Sequence, residues 1–168
     1  MKIAIIIIGC LALAGLVVIG IGYMLPVEHR AVREAELKSP PRTVWETITA
    51  FKEAPAWRPD IKSVERVQQG SETLWKEVDT HGGSILYRTV ESIPQKRLVR
   101  QIADKDLPFG GRWTFEIKEA PHGSILRVTE DGAVYSPFYR FMSKFVFGHT
   151  ATLDKYINAL RAKLGETV

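Results

Sequence analysis

From Ile3 to Leu25 the chain is apolar without interruption, and no charged residue lies between Lys2 and Glu28. As a helix, this run of roughly 23 residues would reach roughly 35 Å, enough to cross a hydrocarbon core of about 30 Å with modest tilt. Residues 1–26 are therefore read as a transmembrane anchor, and the rest of the chain as acting beside a membrane. A cleaved secretory signal would carry a shorter apolar core and a small-x-small cleavage site, and Tyr23-Met24-Leu25-Pro26-Val27 offers none. Ile7-Ile8-Gly9-Cys10 has the outline of a lipoprotein box, but the apolar run continues well past Cys10. Cys10 is the only cysteine, so no internal disulfide can form. Gly9, Gly15, Gly20 and Gly22 lack GxxxG spacing, which predicts a lone anchor and a monomer. Lys2 on one side opposes Arg30, Arg33, Lys38 and Arg42 on the other, so the orientation across the membrane stays open.

Residues 27–168 have the size of one domain with a proper core. The net charge of +4 is modest, and acids and bases are interspersed rather than gathered in blocks. A mildly basic surface beside anionic headgroups accounts for it, and no nucleic-acid partner is predicted.

Turn chemistry divides this domain into strands. His29 to Leu37 reads as a first strand, closed by Ser39-Pro40-Pro41, where Ser39 is placed to cap a short helix from Arg42 to Phe51. Ala54-Pro55-Ala56-Trp57-Arg58-Pro59 breaks it. Five further strands follow, about Ile61 to Gln69, Thr73 to Asp79, Ile85 to Ile93, Leu98 to Ala103 and Arg112 to Glu119, and a hairpin at Pro121-His122-Gly123 leads to a seventh, Ile125 to Val134. After Ser136-Pro137 one long helix is expected over Phe138 to Leu164, with Phe138, Phe141, Phe145, Thr152, Tyr156, Leu160 and Leu164 on one face. A meander with one apolar face must cover it with that helix. The prediction is an α+β helix-grip fold: a curved seven-stranded antiparallel sheet around a long C-terminal helix, with two short helices after the first strand.

Ser39-Pro40-Pro41-Arg42-Thr43-Val44-Trp45, the Trp57-Arg58-Pro59 element, Pro108-Phe109-Gly110-Gly111-Arg112-Trp113 and Thr129-Glu130-Asp131-Gly132, in that order of elements, resemble the START-like superfamily, also called SRPBCC or polyketide cyclase/dehydrase-like. The likeness covers essentially everything after the anchor. It implies a hydrophobic ligand held between sheet and long helix; it does not imply a reaction.

Alternation along the strands names pocket candidates. Trp113 and Phe115 share a face, Glu130 shares one with Leu126 and Val128, Arg100 lies between Leu98 and Ile102, and Trp75 shares a face with Glu77. With Tyr87, and with Phe141 and Phe145 on the helix, these make the predicted lining. A charge turned inward needs a partner, and Arg100 is expected to meet Glu77 or Glu130. Several readings are open for such a group: a structural ion pair, a bulge that turns the side chain to solvent, a polar anchor for a ligand headgroup, or an acid or base.

The histidines do not gather. His29 lies near the anchor, His81 and His122 fall in hairpins at opposite ends of a meander, and His149 is on the last helix. No HxH, HExxH, CxxC or acidic loop occurs, so neither metal nor cofactor is predicted. No GxSxG elbow is present, and Gly82-Gly83 and Gly110-Gly111 lack the strand-to-helix setting of a phosphate loop. Loop parity adds one expectation. If the sheet has the order that the START-like resemblance implies, with first and last strands paired, the anchor enters the domain at the end bearing His81, Gly82, Gly83, Leu107, Pro108, Phe109 and Tyr135, where the resemblance places the cavity mouth. The bilayer and a hydrophobic small molecule or lipid are the predicted partners. Binding leads the functional reading; a cyclase or dehydratase using a pocket carboxylate with Arg100 or Tyr87, and a partner-binding module with a vestigial pocket, are the alternatives.

Overall fold

The computed structural model describes residues 2–148 and 150–166; His149 lies outside them. Helix α1, Lys2–Met24, projects from the domain with nearly every side chain exposed, and only Gly22 is buried. It is long and apolar enough to cross a membrane. Seven strands follow: β1 Glu28–Leu37, β2 Ile61–Gln69, β3 Glu72–Asp79, β4 Ser84–Ile93, β5 Arg97–Ile102, β6 Phe109–Ala120 and β7 Gly123–Val134. They form one antiparallel sheet in the order β1-β7-β6-β5-β4-β3-β2, so the first and last strands are neighbours as expected. Between β1 and β2 lie α2, Pro41–Thr49, and a 3-10 turn, Phe51–Ala56. Pro41 occupies the first turn of α2, where its missing N–H costs nothing. Ser39 does not cap α2: the cap position is Pro40, and the Ser39 backbone N–H and hydroxyl both donate to Glu166 Oε1, at 3.0 and 2.9 Å.

The expected single C-terminal helix is divided. Helix α3, Pro137–Met142, runs into a π turn, Ser143–Phe147, and a separate helix α4, Ala151–Lys163, begins after Gly148. Gly148 sits at φ +74°, a conformation that an L side chain rarely adopts, so the chain turns where a helical pattern alone would continue. Helix α4 by itself covers the concave face of the sheet. Leu153, Tyr156, Ile157 and Leu160 are buried against Leu98, Phe115, Ile117, Leu126 and Val128, with Val44 and Ile48 of α2 closing one end. Leu160 is completely buried at the centre of this core. Leu160→Ala is expected to destabilise the domain by about 2–5 kcal/mol, read as a shift of the denaturant midpoint.

Candidate functional site

Two adjoining cavities lie against the concave face of the sheet. The smaller, about 200 Å³, is bordered by Arg58, Asp60, Glu77, Tyr87, Arg100 and Tyr156 among others. The larger, about 610 Å³, is bordered mainly by apolar and aromatic groups including Ile102, Pro108, Phe109, Val134, Tyr139 and Met142, with His29, Glu130 and Lys155 as its imidazole, carboxylate and amine. Ile85, Tyr87, Trp113 and Thr152 border both.

The polar end is built around Glu77 of β3. Its Oε1 accepts from Arg100 Nη1 at 2.5 Å and its Oε2 from Arg58 Nη1 at 2.9 Å. Arg58 also donates to Asp60 Oδ2 at 3.0 Å. The Arg100 guanidinium lies between the rings of Phe51 and Tyr87, 4.4 and 4.5 Å from their centroids, a geometry in which ring quadrupoles favour the cation. Burial alone would push the Glu77 carboxyl up, but the Arg100 and Arg58 charges and hydrogen bonds outweigh it and hold the group below the usual carboxylate range. Burial pushes the Tyr87 and Tyr156 phenols well above their ordinary value, so both stay neutral. Glu77 is thus an anion at neutral pH between two cations, suited to orienting polar groups and unsuited to proton transfer near neutrality. Two guanidinium donors of Arg100, Nε and Nη2, and one of Arg58, Nε, are buried without a partner among the described residues.

Glu130 belongs to a different environment. It faces His29 of the neighbouring β1, Nε2 to Oε1 at 3.7 Å, and its Oε2 is buried without a hydrogen-bond partner among the described residues. Of the two carboxylates expected as partners of Arg100, Glu77 takes that role.

The remaining predicted residues divide clearly. Glu77, Tyr87, Arg100, Trp113, Phe115 and Glu130 border the cavity. Trp75 does not; its ring packs edge-on against Phe51 at 5.1 Å. Phe141 and Phe145 do not either: they stack on one another at 5.0 Å on the α3 and π segment, and Phe145 is 58% exposed. At the expected mouth, Gly83 borders the smaller compartment and Pro108 and Phe109 the larger. His81 and Gly82 are exposed in the adjoining turn, where the Asp79 carboxylate accepts from the His81 backbone. Leu107 borders neither compartment, and Tyr135 lies over Gly110 on an outer groove. Sequence reading missed Arg58, His29, Tyr156 and Thr152 as lining. Tyr156 and Thr152 carried a signal in their helical spacing. Arg58 sits in an irregular turn and His29 at a strand start, where no periodicity assigns a face.

The fold finds its counterparts among known proteins. Residues 28–164 match the family described as "Polyketide cyclase / dehydrase and lipid transport". Similar solved structures include a START superfamily protein from Mycobacterium smegmatis, 16% identical with TM-score 0.66, the match covering 82% of this chain and 97% of that one. Another is the Zhui aromatase/cyclase from Streptomyces sp. R1128, 11% identical with TM-score 0.66, covering 82% and 94% of the two chains. A third, from Mesorhizobium loti, is 17% identical with TM-score 0.63, covering 83% and 99%. At these identities the likeness establishes the fold alone. No curated protein matches the sequence. With a family match spanning the whole of the sheet and its covering helix, this chain belongs to the polyketide cyclase/dehydrase and lipid transport family of START-like domains, preceded by a helix long and apolar enough to span a membrane.

Proposed function

We propose that this chain is a single-pass membrane protein whose START-like domain binds a hydrophobic or amphipathic small molecule, a membrane lipid, between the sheet and α4. The observation that carries this reading is the polarity gradient of the cavity. A mainly apolar compartment of about 610 Å³ lies at the end where α1 joins β1, and it shares Ile85, Tyr87, Trp113 and Thr152 with the compartment bordered by the Arg58–Glu77–Arg100 cluster. An acyl chain fits the first and a polar end the second, as expected of a site that is mostly apolar with a few fixed polar groups. The family description, which includes lipid transport, supports the same reading.

Native mass spectrometry of the detergent-extracted full chain tests it. A co-purifying lipid is expected. A chain that remains ligand-free even after incubation with lipid extract would sink the proposal and favour a partner-binding module.

One observation favours a second reading, a cyclase- or dehydratase-type enzyme. Glu130 is a cavity carboxylate with a buried oxygen that has no hydrogen-bond partner among the described residues, beside His29, unlike Glu77, whose two oxygens are committed to arginines. The Zhui aromatase/cyclase shares the fold. Under the binding reading, Glu130→Gln leaves the amount of co-purified lipid within about twofold. A chemically altered ligand that accumulates only with wild-type protein would instead establish the enzyme.

A further inference from the structure

Helix α3 and the π turn contribute little to the domain core. Tyr135, Phe138, Tyr139, Phe145 and Val146 are all about half exposed or more. Lys144 is exposed among them. In an aqueous setting this is an unusually dense run of apolar and aromatic surface for so short a segment.

Its position explains it. Gly22, the one buried residue of α1, lies so close to Pro137 that a Cβ there would run into the Pro137 carbonyl. Val18 and Leu25, four before and three after Gly22, are the partly covered residues of the same helical face. Arg140 of α3 is buried and donates from Nη1 to the Leu25 carbonyl at 2.8 Å, satisfying an acceptor that the end of α1 leaves open and placing a cation at the negative end of that helix. Its guanidinium also lies 5.9 Å from the Tyr23 ring centroid. Arg140 therefore does not reach toward lipid headgroups; it fastens α3 to the anchor. The Val134 N–H, donating to the Val27 carbonyl at 2.8 Å, adds a second tie just below. These ties leave little freedom between anchor and domain.

A segment held against the last turns of a spanning helix has to share its depth. Val18 lies six residues before Met24, about 9 Å along the axis, so the covered face reaches more than one turn into the span. We propose that residues 135–147 form a second membrane contact: an interfacial platform whose aromatic side chains lie at the headgroup and acyl boundary of the leaflet that receives the C-terminal end of α1. Tyr135, Tyr139 and Phe138 provide the amphipathic and aromatic surface that suits this boundary, and Lys144 extends its ammonium to the phosphates. Tyr139 and Met142 also border the larger compartment, so one wall of the cavity stands in contact with lipid. The proposal rests on α1 spanning a membrane and names the leaflet as the partner of this surface.

Spin labels on the full chain test it. With Cys10→Ala removing the only thiol, single cysteines at Leu13, Phe138, Phe145, Val146 and Ser71 are labelled in vesicles of phosphatidylcholine with phosphatidylglycerol. Relaxation by dissolved oxygen is then compared with relaxation by a water-soluble nickel complex. Ser71, in the β2–β3 hairpin at the opposite end of the sheet, is the aqueous reference. The expected oxygen-to-nickel ratio is highest at Leu13 and severalfold above Ser71 at Phe138, Phe145 and Val146. If Leu13 reads as buried in lipid while the other three match Ser71, the platform is overturned and the anchor stands. If Leu13 itself reads as aqueous, both fail. Lipid retention in mass spectrometry is a separate readout, so loss of the platform does not remove the ligand reading.

Discussion

Glu77→Gln is expected to cost the domain about 3–5 kcal/mol, because it removes the charge that compensates two largely buried guanidiniums. The Arg58, Glu77 and Arg100 side chains are only 14%, 6% and 10% exposed, so water cannot take over the lost role. The arginines would then repel one another across a neutral amide at distances of a few ångströms. Urea denaturation in detergent, followed by tryptophan fluorescence, reads the change; a loss under about 1 kcal/mol would show that the cluster behaves like an exposed pair. The same group sets an acid limit. The folded-state pKa of Glu77 is depressed, so the folded protein holds its proton more weakly than the unfolded chain does. The stability Glu77 contributes is therefore fully present above the unfolded carboxylate value, about 4.3, and is lost as pH falls through the lower folded value. Wild-type protein should show this loss below about pH 4, and Glu77→Gln should lack that part of the acid dependence.

Ile85→Trp is expected to empty the cavity without unfolding the domain. Ile85 borders both compartments at their junction, on a strand whose side chains stand perpendicular to the sheet, so an indole there is directed into open space rather than into packed core. The overpacking cost is correspondingly small compared with that of a filled core. Co-purified lipid should fall at least roughly tenfold, equivalent to about 1.4 kcal/mol of binding, while the denaturation midpoint moves little. Val90→Trp, at a 57% exposed position of the same strand, is the matched control and should retain lipid. Equal retention by both variants would move the ligand out of this cavity.

Much of the architecture was legible beforehand. The strands, the turn at each hairpin and the break at Trp57-Arg58-Pro59 follow from alternation and turn chemistry, which act over a few residues. The pairing of the first strand with the last was implied only by the family resemblance, and alternation left the Arg100 and Glu77 charges open to face inward or to be turned to solvent. The identity of the ion-pair partner did not follow. Glu77 and Glu130 lie on strands on either side of β5, and only the full sheet places Glu77 at Arg100 and Glu130 at His29. Arg58 joins the cluster from an irregular turn, a contact that no local pattern encodes.

The apolar stretch from Ile3 to Leu25 determined by itself that α1 is a helix long enough to cross a membrane, because continuous apolarity over that length leaves its backbone only internal hydrogen bonds in lipid. The apolar helical face of Phe138, Phe141 and Phe145 was ambiguous in the same terms. Helical spacing marks a face that avoids water; it does not say whether protein or lipid covers it. Only the tertiary structure decided, through Gly148 at positive φ, the contact of Gly22 with Pro137 and the bond from Arg140 to Leu25, that α4 packs on the sheet while α3 turns its aromatics outward beside the anchor.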